Sequence, residues 1–275
     1  MASSNKGPRY GTINMAYAAT LATTAPDDDG PVWMVNLMKY REVAEYADGR
    51  DSAISGREAD NRYAPLGPLA AIGAEAVFFA DVERQLGGAE PTWDRVGVVK
   101  YPTRRSFIEM QSRPDFVELH AHKEAGMSTT TVMGCLPMDL SESPLNTADW
   151  ADVPHSSTAD DGPIVVLHVI KFAEPDGLDE MAGYHDVAGE VAGPQGARID
   201  GFFTVEGTIL GDGRSWDQVH FVGYPSRAAF MAVATDPWRI EAEKNHRQAA
   251  IADTYTLVLT PTINKLATSI AAELL

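Results

Sequence analysis

Seven histidines are spread through this chain, and three of them stand where an imidazole can do chemistry. His168 interrupts the apolar run Pro163-Ile-Val-Val-Leu-His-Val-Ile. Burial penalises the charged form of an imidazole, so a histidine in such a run stays neutral near pH 7. A neutral imidazole in a dry pocket can serve as a general base; the competing reading is a core histidine bonded to a backbone carbonyl. His120 shares one helical face with Phe116, Leu119 and Lys123, at the edge of an apolar stripe. His122 points about 200° away on the same helix, so the pair does not grip one ion, and no metal site is expected. His246 has Ala242, Ala249 and Ala250 as helical neighbours. Such small side chains permit either close packing or room for a ligand. Tyr184 and His185 diverge by about 100° on a helix, so one is expected to face the sheet and the other water. Tyr184 is assigned inward, as donor to a developing oxyanion. The expected chemistry is proton transfer, with His168 as base, His246 or His120 as a second acid or base, and Tyr184 as hydrogen-bond donor.

The elements that must position these groups come in two sets. Trp93-Asp94 returns as Trp216-Asp217, Tyr101-Pro102 as Tyr224-Pro225, Phe107 as Phe230 and Pro114 as Pro237, each 123 residues on. At the same offset Gly73 matches Gly196, Phe79 matches Phe202, and Val82-Glu83 matches Val205-Glu206. An ungapped register of this kind indicates an internal duplication. The first strands mismatch where chemistry is expected: Asn36 aligns with His168. Asn36 and Tyr63, the nearest counterpart of Tyr184, are therefore candidate substrate contacts. Trp93 and Trp216 join them, with sheet-to-helix packing as their competing role.

Residues 31–40 and 163–172 are apolar runs ending in Lys plus an aromatic, and read as buried first strands whose lysines reach solvent. Helices are expected over 57–72, interrupted at Pro65, Gly67 and Pro68, and over 179–192. Strands come next near 75–83 and 93–101, and near 198–208 and 216–224. Gly87-Gly88 and Gly211-Asp212-Gly213 are the expected hairpin connections. Thr103 and Ser226 are placed to cap the next helices, which restart at Pro114 and Pro237. Last strands over 128–136 and 254–260 complete a β-α-β-β-α-β order, the split βαβ arrangement of ferredoxin-like domains. The organisation is an N-terminal arm over 1–30, repeats over 31–137 and 163–265, a polar acidic linker over 138–162, and a tail over 266–275.

Composition narrows the function. The net charge of −17 repels phosphate backbones, which disfavours nucleic acid as a partner. Acids such as Asp27 to Asp29, Glu142, Asp160 and Asp161 fall in expected loops and read as a solubilising surface. No run approaches the roughly 18 apolar residues of a membrane span, and residues 10–25 lack a signal peptide's apolar core. The expectation is a soluble, cytoplasmic protein. The single cysteine, Cys135, lies in an expected strand as a buried thiol. There is no Gly-x-Gly-x-x-Gly after a strand, no Walker-type loop, no His-Glu-x-x-His and no Gly-x-Ser-x-Gly, which disfavours nucleotide-dependent and serine hydrolase chemistry.

The Lys-aromatic strand ends, the Trp-Asp strands closing in Tyr-Pro-Thr/Ser and the Pro helix restarts together resemble the dimeric α+β barrel superfamily. Each half is similar to its small stress-responsive or monooxygenase-like domains. The resemblance implies an α+β fold in which two tandem ferredoxin-like repeats form an intrachain dimeric α+β barrel, as a pseudo-dimeric monomer or a homodimer. It also implies ligand cavities between sheet and helices, as in muconolactone isomerases, cofactor-independent monooxygenases and haem-containing chlorite dismutases. The expectation is an isomerase, cyclase or monooxygenase acting without cofactor on a small, largely apolar metabolite. The alternatives are a non-catalytic small-molecule binder and a haem protein.

Overall fold

The computed structural model describes residues 7–140 and 145–274. Residues 1–6 of the expected arm, 141–144 of the expected linker (Glu142 included) and residue 275 lie outside the described residues. The first strands form where sequence places them. β1 (Thr12–Ile13) and α1 (Met15–Thr23) precede β2 (Val32–Tyr40), α2 (Gly56–Tyr63), α3 (Leu66–Ala71), β3 (Glu75–Gly87) and β4 (Arg95–Tyr101). After them come α4 (Arg104–Gln111), α5 (Pro114–Gly126) and β5 (Met127–Pro137). The second series is β6 (Ile164–Phe172), α6 (Gly177–Ala192), β7 (Arg198–Gly211), β8 (Gln218–Tyr224), α7 (Arg227–Ala234) and α8 (Pro237–Ala242). It ends with a π-helical turn (Glu243–Arg247), α9 (Gln248–Ala250), β9 (Ile251–Asn264) and α10 (Leu266–Leu274). No helix among the described residues is long and apolar enough to cross a membrane.

The chain divides into two compact units that do not follow the expected repeat boundaries. Unit 1 takes residues 7–79, 91–136 and 205–215; unit 2 takes 80–90, 137–140, 145–204 and 216–274. The difference arises in the second strands. β7 pairs with β8 only from Arg198↔Gly223 to Thr204↔Gln218, so Gly211-Asp212-Gly213 does not close a tight hairpin. The remainder of β7 runs on into unit 1, where Gly211 and Leu210 pair with β1. The second part of β3, from Ala80, likewise belongs to unit 2. The unit 1 ladder is β1, β7, β5, β2, β4, β3, and that of unit 2 is β3, β9, β6, β8, β7.

Local chemistry explains the elements. β2 and β6 show the same burial sequence, fully buried except at Asn36, at His168 and at their last two residues, as expected for strands covered on both faces. Thr103 and Ser106 close a capping box on α4, and the Ser226 hydroxyl accepts from the Ala229 amide at the start of α7. Pro114 and Pro237 occupy first helical turns, whose amides need no intrahelical partner. Lys39 and Lys171 do not run free to solvent. Each pairs at 2.9 Å with the aspartate of a Trp-Asp motif, Asp94 or Asp217. The other carboxylate oxygen accepts from the amide of Tyr40 or Phe172, at the β-bulge ending each first strand.

Two arginines anchor the strand segments that leave their own hairpins. Arg104, at the start of α4, grips Glu206 through Nε at 2.9 Å and Nη2 at 2.6 Å. Arg227, at the start of α7, grips Glu83 through Nε at 2.8 Å. Asp29 and Asp161 accept the backbone amides of those same arginines, both at 2.8 Å, so these loop acids stabilise helix N-termini rather than only solubilising the surface. In unit 1 the Tyr17 hydroxyl donates to Glu206 at 2.8 Å. Its ring fills space left by Gly134 and Gly207, where any Cβ would overlap it. Tyr10, Tyr17 and Leu21 are buried in the unit 1 core, so the described part of the N-terminal segment is packed, not loose. The described part of the linker is also tied down. Trp150 donates to the Gly196 carbonyl at 2.7 Å, and Asn146 accepts from the Ile199 amide at 2.6 Å. The expected tail is helical, with Leu266 fully buried.

Arg104→Ala is expected to lower stability by about 1–3 kcal/mol, because it strands a partly buried carboxylate. Arg227→Ala should cost less, since its side chain is 39% exposed against 10% for Arg104. Burial opposes the ionisation of Glu206, but hydrogen bonds from Arg104 and Tyr17 outweigh it and hold its pKa down. A depressed carboxylate stabilises the fold above its unfolded value of about 4.3, and the gain is lost as pH falls through the lower native value. The deficit of Glu206→Gln, read by thermal melts, should therefore be full at neutral pH and shrink in acid.

Candidate active site in unit 2

A cavity of about 1340 Å³ lies within unit 2, between the sheet strands β6, β8 and β9 and the helices α6, α7 and α8. Its position reflects where the core divides. On the helix-facing side of β6, Ile164 and Val166 join one buried cluster, while Ile170 and Phe172 pack with Met181 and Ala250 in another. His168 sits between them and faces the cavity. In unit 1 the matching face of β2 contributes Val32, Met34 and Met38 to one cluster that also holds Met110 and Phe116.

Three imidazoles converge on this cavity. His168 on β6 and His220 on β8 are direct cross-strand partners. The His220 ring stacks on Phe202 at 3.9 Å and 9°, and its Nε2 lies 2.8 Å from Gln218 Oε1. His185 reaches in from α6, 5.3 Å from His220 between ring centroids. The His168 Nδ1 lies 3.4 Å from Thr256 Oγ1 and 3.5 Å from Arg247 Nη2. Burial, then the charge of Arg247, pushes the His168 pKa down to about 3. The same burial holds His220 well below the ordinary imidazole range, and lowers His185 as well. All three imidazoles are thus neutral at pH 7.

Guanidiniums supply the cavity's positive charge. Arg239 donates to the Tyr184 hydroxyl at 3.2 Å and pairs with Glu243 at 2.7 Å; Arg247 lies 3.7 Å from Glu243. These residues are spaced by four. A step of four overshoots an α-helical turn by about 40°, whereas in the i→i+5 turn from Glu243 to Arg247 it falls short of one turn. The two deviations oppose each other, so Arg239, Glu243 and Arg247 all line the same cavity. One extra residue creates the π turn. Pro114 and Pro237 are 123 positions apart, whereas Met127 and Ile251, opposite Tyr40 and Phe172 in the ladders, are 124 apart.

The other expected site residues fall in several places. Tyr184 lines the cavity, and so does its neighbour His185, which sequence assigned to water. The helix turns its edge to the cavity, so a 100° difference in direction does not separate them. His246 is not among the lining residues; its Nδ1 lies 2.8 Å from Glu180 on the side of α6. Trp216 is buried against Tyr255 at 5.3 Å, away from the cavity lining. In unit 1, Trp93 is buried and Asn36 donates to the Met34 carbonyl at 2.9 Å. His120 there contacts the Tyr10 hydroxyl at 2.9 Å and packs on Tyr63 and Phe116; burial lowers its pKa to about 4. The thiol of Cys135 is buried and its pKa is pushed up by that burial. Among the described residues no group of three or more His, Cys, Asp or Glu is placed to hold a metal ion.

Sequence reasoning missed His220, Phe202, Arg239 and Arg247 as cavity groups. Two signals for them exist. His220 stands opposite His168 as Gly97 stands opposite Asn36, and the offset grows by one residue inside the helix bearing both arginines.

No protein-family model matches this chain, and no curated protein matches it. Solved structures are similar in part. A protein of unknown function from Rhodopseudomonas palustris is 24% identical over 47% of this chain and 98% of its own, with a TM-score of 0.40. An anthrone oxidase-like protein is 13% identical, covering 86% of this chain and 92% of its own, with a TM-score of 0.49. A mutant chlorite dismutase from Candidatus Nitrospira defluvii is 10% identical, covering 88% and 96%, with a TM-score of 0.48. The last two belong to the dimeric α+β barrel superfamily. None of these likenesses speaks to the chemistry of the cavity.

Because an unfolded imidazole titrates near 6.5, the unfolded chain binds more protons than the native one below that pH. Stability carried by neutral His168 is full above about pH 6.5 and falls as pH drops toward its native value. His168→Asn is expected to flatten the decline of melting temperature on acidification from about pH 6.5 to 4. An unchanged slope would show that His168 titrates normally in the fold.

Proposed function

We propose that this chain is a cofactor-independent enzyme that moves a proton on a small, largely apolar metabolite held in the unit 2 cavity. The observation that carries the reading is the convergence of three neutral imidazoles and two guanidiniums, from both the sheet and the helices, on one cavity that also has apolar lining. Neutral imidazoles accept or relay protons. Guanidiniums in water-poor surroundings stabilise the oxyanion that forms when a proton leaves carbon next to a carbonyl. His168 is the base in this reading. Tyr184, its hydroxyl oriented by Arg239, donates to the oxyanion, and His185 or His220 supplies the second acid or base in place of the distant His246 and His120. Isomerisation, cyclisation and oxygenation of an electron-rich substrate all begin with such a step.

We also infer that the chain arose by tandem duplication of a ferredoxin-like domain of the dimeric α+β barrel kind. Support comes from the recurrence of whole contacts: Lys39 with Asp94 and Lys171 with Asp217, Arg104 with Glu206 and Arg227 with Glu83. Under this reading the two sheet-helix layers had one origin, and unit 2 kept an open site.

The test is solvent deuterium exchange at the benzylic carbon of phenylpyruvate and of its neutral analogue benzyl methyl ketone, monitored by NMR in D2O. The protein is expected to accelerate exchange of at least one of them, and His168→Asn to lose about 10²-fold or more of that acceleration while melting normally at pH 7. Binding of both without accelerated exchange would favour a non-catalytic metabolite binder.

A further inference from the structure

The arginines of the unit 2 cavity are under-neutralised. Among the described residues, Glu243 is the carboxylate paired with them, at 2.7 Å from Arg239 and 3.7 Å from Arg247. Asp186 and Glu190 also line the cavity, but both occupy exposed positions. Arg239 and Arg247 have side chains only 18% and 15% exposed. Arg239 is engaged by Glu243, by the Tyr184 hydroxyl at 3.2 Å and by the Ala234 carbonyl at 3.1 Å, whereas the shortest polar contact of Arg247 among the described residues is the 3.5 Å approach to His168. A guanidinium offers five donors in a planar fork that matches a carboxylate. Buried donors left this loosely engaged are costly unless a ligand completes them.

We propose that the cavity recognises its substrate by a carboxylate, which Arg247 and Arg239 bind while the apolar walls take the rest of the molecule. The inference rests on the reading of this cavity as a ligand site and names the class of ligand: an aromatic or otherwise apolar monocarboxylic acid. One uncompensated guanidinium charge calls for a monoanion. Phe202, Met181, Leu178, Val222 and Phe230 supply surface for an apolar body. Carboxylate binding also has a consequence for the base. The charge of Arg247 is among the causes that hold the His168 imidazole down. An anion on Arg247 cancels part of that field, so the correct substrate raises the basicity of His168 as it binds.

The experiment compares 2-naphthoate with its neutral isostere 2-naphthamide by calorimetric titration of the full chain. The acid is expected to bind at least about tenfold tighter than the amide. Arg247→Met should erase that preference by weakening naphthoate binding about tenfold or more. Glu243→Gln, which removes the competing carboxylate, should tighten naphthoate binding, and so gives an effect of opposite sign that general damage to the fold does not produce. Equal affinities for acid and amide in the unaltered protein, or a preference surviving in Arg247→Met, would overturn the carboxylate assignment and leave the ligand cavity standing. Failure of both compounds to bind would overturn the assignment and the cavity reading together.

Discussion

An arginine at a helix N-terminus, held between two carboxylates, is the constraint on which both units depend. In unit 1 Arg104 joins Asp29, which satisfies the first amides of α4, to Glu206 on an incoming strand. In unit 2 Arg227 does the same with Asp161 and Glu83. A strand that outruns its hairpin presents unpaired amides and carbonyls, and needs a fixed register on its new neighbour. A bidentate charge pair sets that register with directional bonds, which apolar packing alone does not. The clamps help fix the register of the β3 and β7 segments that leave their hairpins, the Arg104 pair more firmly than the more exposed Arg227 pair.

Given that scaffold, the two sheet-helix layers differ in what fills them. In unit 1 an aromatic set packs within the layer: Tyr63, Phe116 and His120 lie together, and Phe79 lies against Gly97. In unit 2 His220 replaces that glycine position across from the central strand, and Phe202 stacks on it rather than filling the layer. An open volume lined by imidazole and guanidinium groups is the less stable arrangement, since it forgoes contacts and desolvates charge. Such a departure from good packing is characteristic of a working site.

The π turn sets which side chains of this helix reach the cavity. An uninterrupted α5 of 13 residues serves unit 1. The unit 2 helix is one residue longer between its proline and the following strand, its π turn shifts the phase of the residues beyond it, and Arg247 lines the same cavity as Arg239 and His168. π turns of this kind recur at functional sites because they re-aim a few side chains without unravelling a helix.

The repeated motifs, the period of the first strands, the capping hydroxyls and the proline restarts were all legible in the chain, because each reflects a local rule of backbone or side-chain geometry. So was His168, which stood out as a polar residue at a buried strand position. The partners of His168 were not legible. His220 comes from a strand 52 residues on and Arg247 from a helix 79 residues on, and cross-strand register and helix phase bring them together. Nor did local pattern show that the second strands leave their hairpins, since a strand's side-chain alternation is the same whichever neighbour it pairs with. Sequence by itself determined the elements of the two halves and their order, but not α1 or α10; tertiary structure decided which side chains line the unit 2 cavity and which charges meet there, because both depend on long-range packing that no local spacing encodes.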